Sequence, residues 1–197
     1  MAYSDFTLAK LTQRVGVGYT RTQLSANWIW QATVSPMLQE QLATNQLFPL
    51  LTEKAKSEFL IVPILQELYR NNPDKITIFS GFSLDVSELL NGFCDYIISH
   101  EPLRLEVTAP VFCVVEAKNR TVEEGLGQCG AEMVAAWQFN AAANEPVSEV
   151  YGAVTNGYEW IFLRYAGTVL EIDTARFYIE ALPQLLGALQ TVVDSYQ

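Results

Sequence analysis

The spacing of apolar residues changes near residue 75 of this 197-residue chain. Residues 4–15 and 36–69 carry apolar side chains at helical spacing, with a break near Pro49. The segments that follow are short, rich in β-branched and aromatic residues, and bounded by glycine or proline. This pattern predicts strands in KITIFS, FSLDV, FCDYIIS and VFCVVEAK.

A helix and three further strands are predicted after residue 120. Thr121 and Glu124 have capping-box spacing, which predicts a helix that runs roughly to Ala143. Three further strands are predicted in VYGAVTNG, EWIFLRYAG and TVLEIDT. Together the elements predict one domain of the α/β (α+β) class, with a mixed central sheet flanked by helices. Its predicted parts are a helical extension (1–49), a core (50–175) and a C-terminal helix (176–197).

The composition is that of a packed globular protein, with 50% hydrophobic and 17% charged residues. No apolar run approaches the roughly 20 residues that a membrane span requires. The first residues lack the basic-then-apolar order of a secretion signal. The three cysteines have spacings that fit neither a disulfide framework nor a zinc site. We therefore expect a cytoplasmic protein that does not bind membranes, with reduced cysteines in its core.

The net charge of −10 argues against a protein that coats nucleic acid, because such binding depends on neutralising phosphates with lysine and arginine. It leaves open a protein that meets nucleic acid through a metal-loaded pocket and a few local cations.

The stretch VFCVVEAKN places two opposite charges at the end of an apolar strand. Side chains alternate along a strand, so Glu116 and Lys118 share one face, roughly 7 Å apart. Phe112 and Val114 are predicted on that face, and the other face is also apolar. A strand that is apolar on both faces lies inside a sheet. The two charges are therefore expected at the rim of a cleft, partly desolvated and in need of partners.

Asp95 is the candidate partner of Glu116. If FCDYIIS and VFCVVEAK form an antiparallel hairpin, a register that pairs Asp95 with Glu116 centres the turn near residue 105, within a polar, proline-containing connection. Two adjacent carboxylates repel each other unless a cation lies between them. Mg²⁺ prefers such oxygen ligands, with Mn²⁺ as a possible substitute. Lys118 could then steady a metal-bound hydroxide or the charge on a phosphate.

Asp95 followed by Glu116-Ala117-Lys118 at the end of an apolar strand resembles the PD-(D/E)XK nuclease superfamily. YGAVTNGYEWIFLRY is similar to the strands of the nuclease domain of type I restriction motor subunits. The resemblance covers residues 50–175 and implies a restriction-endonuclease-like core. It departs from the pattern at Cys94, where proline is common, and at Glu132, where some branches carry tyrosine.

The resemblance implies a metal-dependent nuclease that hydrolyses phosphodiester bonds in nucleic acid, most simply DNA. Asp95 and Glu116 would hold the metal, joined by Glu58 from the preceding helix. Lys118 would activate the attacking water, and Gln128 would orient Lys118 or the substrate.

Several alternatives stay open. Glu58 could be a solvated or capping residue, and Gln128 could bond the backbone at a helix start. The domain could also be a non-catalytic binding or assembly module that acts with a partner protein, for example through an apolar patch at 28–30. Self-association is expected to be weak, as a homodimer.

Overall fold

The computed structural model describes residues 2–28 and 31–196. Its centre is a mixed sheet whose strands lie in the order β1-β7-β6-β5-β4-β3-β2, with β8 paired to β6. The strands are β1 (Gly18–Thr22), β2 (Thr77–Ser83), β3 (Phe93–Ser99), β4 (Val111–Ala117), β5 (Val150–Thr155), β6 (Glu159–Tyr165), β7 (Val169–Asp173) and β8 (Phe177–Tyr178).

Within the described residues, six α-helices surround this sheet: α1 (Leu8–Val15), α2 (Pro36–Asn45), α3 (Glu53–Lys56), α4 (Val62–Asn71), α5 (Leu126–Ala142) and α6 (Leu182–Asp194). Residues of α1 and α5, such as Leu11 and Met133, belong to one hydrophobic core. Residues of α2, α4 and α6, such as Leu38, Leu65 and Leu189, belong to a second core. Each face of the sheet is thus covered by helices, and the predicted α/β fold with a mixed, helix-flanked sheet is confirmed.

Strand β4 lies inside the sheet, antiparallel to β3 and parallel to β5. Helix α5 makes the crossover between the two parallel strands, as parallel pairing requires. It packs closely, because a Cβ on Gly152 of β5 would lie 2.5 Å from the Met133 sulfur. A Cβ on Gly127 would lie 2.3 Å from the backbone of Thr7. These glycines let α5 approach the sheet and the N-terminal segment.

Residues 1–49 are not only helical. They contain α1 and α2 but also β1, which pairs in parallel with β7 at one edge of the sheet. Tyr3 is buried, and its hydroxyl donates to the carbonyl of Leu84. Strand β1 escapes detection in the sequence because most of its side chains are polar and exposed, as an edge position allows.

Two boundaries differ from the sequence prediction. FSLDV does not form a separate strand, since β2 continues through Gly81, which adopts a φ of +70° that glycine tolerates. The C-terminal segment begins with the short strand β8, and α6 starts only at Leu182. The capping box is also absent: the Thr121 side chain makes no capping bond, and residues Val122–Gly125 form a 3₁₀ turn before α5.

A π-helical segment, Ser57–Ile61, joins α3 to α4. Pro63 lacks the backbone N–H that would bond the carbonyl of Phe59 in a regular α-helix. The side-chain amide of Asn45 donates to that carbonyl instead, at 2.8 Å. Proline therefore explains the irregular turn, and α2 supplies the missing hydrogen bond.

Cys94, Cys113 and Cys129 are all free and buried, as the sequence predicts. Across residues 2–28 and 31–196, no helix combines the length and apolar character needed to cross a membrane.

Candidate active site

Strands β3 and β4 bring Asp95 next to Glu116. Tyr96 lies opposite Val115 and Ile97 opposite Val114, which is the register predicted from the sequence. At the end of this pairing, the backbone N–H of Ala117 donates to Asp95 Oδ2 at 2.8 Å. Two carboxylates that are 21 positions apart in the chain therefore meet at one end of the hairpin.

The predicted alternation along β4 is wrong at Phe112. Ile98 pairs with Cys113, whereas the next residue, Ser99, pairs with Val111. Phe112 is therefore the extra residue of a β-bulge, which resets the side-chain alternation. As a result Phe112 packs in the same core as Cys113, while Val114 lies in the core beside α5.

Glu116 and Lys118 form a close ion pair inside the protein. Lys118 Nζ lies 2.5 Å from Glu116 Oε1, and their side chains are only 17% and 2% exposed, respectively. Lys118 Nζ also donates to Gln128 Oε1 at 3.1 Å, a bond that links the end of β4 to helix α5. Two of the three N–H bonds of the ammonium are thus occupied by fixed acceptors.

The environment of Glu116 disfavours its charge. Burial raises the pKa of Glu116 to about 8, the negative charge of Asp95 adds to the rise, and Lys118 opposes it. Its second oxygen, Oε2, is buried and receives no hydrogen bond from an amide, ammonium or hydroxyl group among the described residues. The carboxyl group of Glu132 lies within hydrogen-bonding reach of Glu116, a contact that lowers the pKa of Glu116 and raises that of Glu132. Two carboxyl groups in contact require a proton or a cation between them.

Lys118 is held in place along its whole length. Its backbone N–H donates to Thr155 of β5 at 2.7 Å. A Cβ on Gly125 would come within 3.1 Å of Lys118 Cγ and 3.2 Å of Cε, so the side chain runs over this glycine. Burial alone would lower the pKa of Lys118, but its contact with Glu116 outweighs that effect and the pKa is raised. Lys118 therefore stays positively charged.

Glu132 belongs to the same cluster, although the sequence analysis did not place it in the site. It lies on α5, fully buried, and its Oε1 accepts from Gln128 Nε2 at 3.1 Å. Burial and the charge of Glu116 raise its pKa well above the usual value. The sequence signal was available: within the apolar run of α5, Glu132 follows Gln128 by four residues and so shares its face.

The structure does not bring Glu58 into this cluster. Its carboxylate is 55% exposed and lies 3.8 Å from Lys54, four residues earlier. The charge of Glu53, at the start of α3, instead contributes to the raised pKa of Lys118, after the larger contribution of Glu116. Glu58 thus has the surroundings of a solvated residue, which is the alternative to a role as a metal ligand.

The residues present fit a hard divalent cation only in part. Within the described residues, no three histidine, cysteine, aspartate or glutamate side chains are already grouped as ligands. Mg²⁺, however, is usually held by one or two carboxylates together with waters and substrate phosphate. Asp95 and Glu116 supply the two carboxylates of that smaller requirement.

Three aromatic residues of β5 and β6 are packed into the sheet and offer no exposed ring for base stacking. Trp160, Tyr151 and Tyr165 are at most 5% exposed. Trp28 packs edge-on against Tyr151 and Phe162 rather than forming a surface patch. The remainder of the proposed 28–30 patch lies outside the described residues.

No protein-family model matches the chain, and no curated protein matches it. The case for a function therefore rests on the residues of the site.

Proposed function

We propose that the protein is a metal-dependent nuclease that hydrolyses phosphodiester bonds in nucleic acid. The observation that carries this proposal is the convergence of Asp95, Glu116, Lys118 and Gln128 at the end of one hairpin. The same residues carry the resemblance to the PD-(D/E)XK superfamily and its restriction-endonuclease-like core.

Asp95 and Glu116 would hold Mg²⁺, or Mn²⁺ in its place. When bound, such an ion supplies a Lewis acid for the phosphate and lowers the pKa of a bound water. Cation binding would also compensate the mutual repulsion of the two carboxylates, which contributes to the raised pKa of Glu116.

Lys118 would act on the reacting groups directly. Glu116 and Gln128 accept two of its N–H bonds, so its orientation is fixed before substrate arrives. The remaining N–H is available to a water or to a phosphate oxygen. A pre-oriented ammonium in a partly buried site stabilises developing negative charge more than a mobile one in water.

The negative net charge of the protein supports a substrate that is bound by a few contacts at the site rather than by a broad basic surface. The net charge is −10. Near the site, the ammonium of Lys56 donates a hydrogen bond to the backbone carbonyl of Asn119. Because a carbonyl is neutral, this contact does not neutralise the positive charge of Lys56. DNA is the simplest substrate. The buried free cysteines support a reducing, cytoplasmic location.

The direct test is cleavage of plasmid and oligonucleotide substrates in the presence of Mg²⁺ or Mn²⁺. We expect cleavage by the wild-type protein and a loss of about 100-fold or more in Lys118→Ala and Asp95→Ala, since each removes a group that stabilises transition-state charge. Lys10→Ala, an exposed lysine on α1, is the matched control and should cleave normally. Cleavage that survives both site substitutions would reject the assignment.

A second candidate is a non-catalytic module that binds a partner protein. It is favoured by the net charge and by large exposed side chains such as Phe93, Leu103 and Leu105, which are 73%, 82% and 92% exposed. This candidate predicts no divalent-metal binding and a stable complex or homodimer in sedimentation. The nuclease predicts metal binding and at most weak self-association.

A further inference from the structure

The least expected residue of the site is Glu132. It is 0% exposed and lies on α5 among apolar side chains. Burying a carboxyl group costs free energy unless its oxygens are hydrogen-bonded. One oxygen of Glu132 accepts from Gln128, and its carboxyl group also hydrogen-bonds Glu116. A packing role would be served better by leucine or methionine, so the carboxyl group itself requires an explanation.

The contacts of Gln128 supply one. A glutamine amide has one end that only accepts and one end that only donates. Its Nε2 donates to Glu132 Oε1 at 3.1 Å, and its Oε1 accepts from Lys118 Nζ at 3.1 Å. With the donor end held by Glu132, the acceptor end must face Lys118. The opposite orientation would point an N–H group at an ammonium.

We propose that Glu132 is a positioning residue that fixes the orientation of the Gln128 amide and, through it, the ammonium of Lys118. This inference rests on the proposed nuclease function. It defines a line of three hydrogen bonds from Glu132 through Gln128 and Lys118 to Glu116. Glu132 can accept from Gln128 whether its other oxygen is ionised or protonated, so the role requires an acceptor rather than a charge.

Two substitutions of Glu132 distinguish a positioning role from a role as a direct metal ligand. Glu132→Leu removes the acceptor with little change in volume, whereas Glu132→Gln keeps an acceptor and removes the charge. Positioning predicts that kcat falls about 10- to 100-fold in Glu132→Leu, as for other supporting partners of a site. It also predicts that Glu132→Gln retains kcat within about threefold, and that KM and Mn²⁺ affinity change little in both. A direct metal ligand would instead lose Mn²⁺ affinity in both variants, and that result would overturn the proposal.

A double substitution tests whether Glu132 acts through Gln128. In a Gln128→Leu protein the amide is gone, so adding Glu132→Leu should lower kcat no further. Additive losses in the double variant would overturn the proposal. Glu124→Gln, an exposed glutamate shortly before α5, is the matched control and should retain wild-type kcat.

Crystal structures of the two Glu132 variants test the positioning without any activity. We expect the 3.1 Å contact between Gln128 Oε1 and Lys118 Nζ to be lost in Glu132→Leu and kept in Glu132→Gln. If the contact survives in Glu132→Leu, the positioning role is wrong even when the protein is a nuclease. If the wild-type protein cleaves nothing, the nuclease function fails by itself, and the structures still decide how Gln128 is oriented.

Discussion

Glu116 combines features that rarely occur in one residue: a carboxyl group 1% exposed, next to a second carboxylate and an ammonium. Burial and the charge of Asp95 oppose its ionisation, while Lys118 favours it. A cation between the carboxylates would shift this balance toward the ionised form. The titration of Glu116 is therefore a property that distinguishes the metal-free from the metal-bound site.

We expect the metal-free protein to lose stability as the pH rises from about 5 to about 8.5. Burial raises the pKa of Glu116 to about 8, above the unfolded value of about 4.3, so the folded state binds its proton more tightly. This contribution to stability is complete below the unfolded pKa and disappears as the pH passes the folded pKa. Glu132, whose pKa burial also raises, acts in the same direction.

Urea unfolding at a series of pH values measures this loss. Glu116→Gln cannot ionise and should give a flatter dependence of the free energy of unfolding on pH than the wild type. Identical curves for the two proteins would show that Glu116 does not titrate in this range.

Residue-level sequence reasoning identified Glu58, Asp95, Glu116, Lys118 and Gln128 as the candidate site, and the structure places the last four within one cluster and Glu58 beside Lys54 instead. Glu132 was missed because its four-residue spacing from Gln128 shows a shared helix face but not that this face lies against β4. Its role depends on how the side chains of α5 meet those of β4, which is a matter of tertiary packing.

At the scale of elements, the site depends on how closely the turn before α5 approaches the ends of β4 and β5. Gly125 lies at this contact. A Cβ there would be 2.6 Å from Val154 Cγ1 and 3.1 Å from Lys118 Cγ. Both neighbours would have to move.

We therefore predict that Gly125→Ala lowers cleavage about tenfold or more, because a small displacement of a reacting group has large effects on rate. It should also destabilise the fold by about 1–3 kcal/mol, which is typical of overpacking. Gly18→Ala is the matched control, since nothing lies within 4 Å of a Cβ at that position. Normal cleavage by Gly125→Ala would show that the position of Lys118 does not depend on this contact.

The other end of β4 is held by Asn140 of α5. Its side chain accepts from the Val111 N–H at 2.8 Å and donates to the Val111 carbonyl at 2.7 Å. Val111 borders the bulge at Phe112, where the pairing with β3 is irregular. The side chain of Asn140 thus satisfies both backbone polar groups of Val111 next to the bulge.

We expect Asn140→Leu to destabilise the protein by about 2–4 kcal/mol in chemical denaturation, since it leaves two buried backbone groups unpaired. Mn²⁺ affinity should be unchanged, because five residues of strand separate Val111 from Glu116, about 17 Å. Gln138→Leu, at an exposed position of the same helix, should change stability by less than about 0.5 kcal/mol. A loss below about 1 kcal/mol in Asn140→Leu would contradict this account.

The elements that the sequence predicted best are those with a continuous apolar signal. Strands β3 and β4 were predicted because both carry long apolar runs. Their register was predicted from the polar, proline-containing connection, which lies midway between Asp95 and Glu116. Strand β1 was not predicted, since an edge strand with exposed side chains lacks the alternation that identifies strands. The bulge at Phe112 was also unpredictable, because every residue from Val111 to Val115 is apolar and no register is excluded by burial.

At the scale of the whole molecule, the class of the fold can be predicted from the sequence, whereas the distribution of charged side chains around the site cannot. A net charge of −10 is unfavourable for an extended nucleic-acid interface. The described cations near the end of the hairpin include Lys56, whereas Arg176 is paired with Glu123 at 2.7 Å. Substrate binding should therefore depend on the metal and a few local contacts.

We predict a shallow salt dependence of DNA binding. Two or three neutralised phosphates give a slope of about −2 to −3 for log K against log salt concentration. Fluorescence anisotropy with a labelled duplex, Mn²⁺ and the inactive Lys118→Ala protein measures it. A slope steeper than about −6 would reveal an extended basic surface that this account does not contain.

The central claim is that Asp95 and Glu116 together hold a divalent cation. Calorimetric titration with Mn²⁺ tests it most directly, using wild-type protein, Asp95→Asn, Glu116→Gln and, as a control, the exposed Glu180→Gln. The account predicts micromolar-to-millimolar binding in the wild type and the control, and its loss in both site variants. Equal Mn²⁺ binding in all four proteins, or none in the wild type, would contradict it.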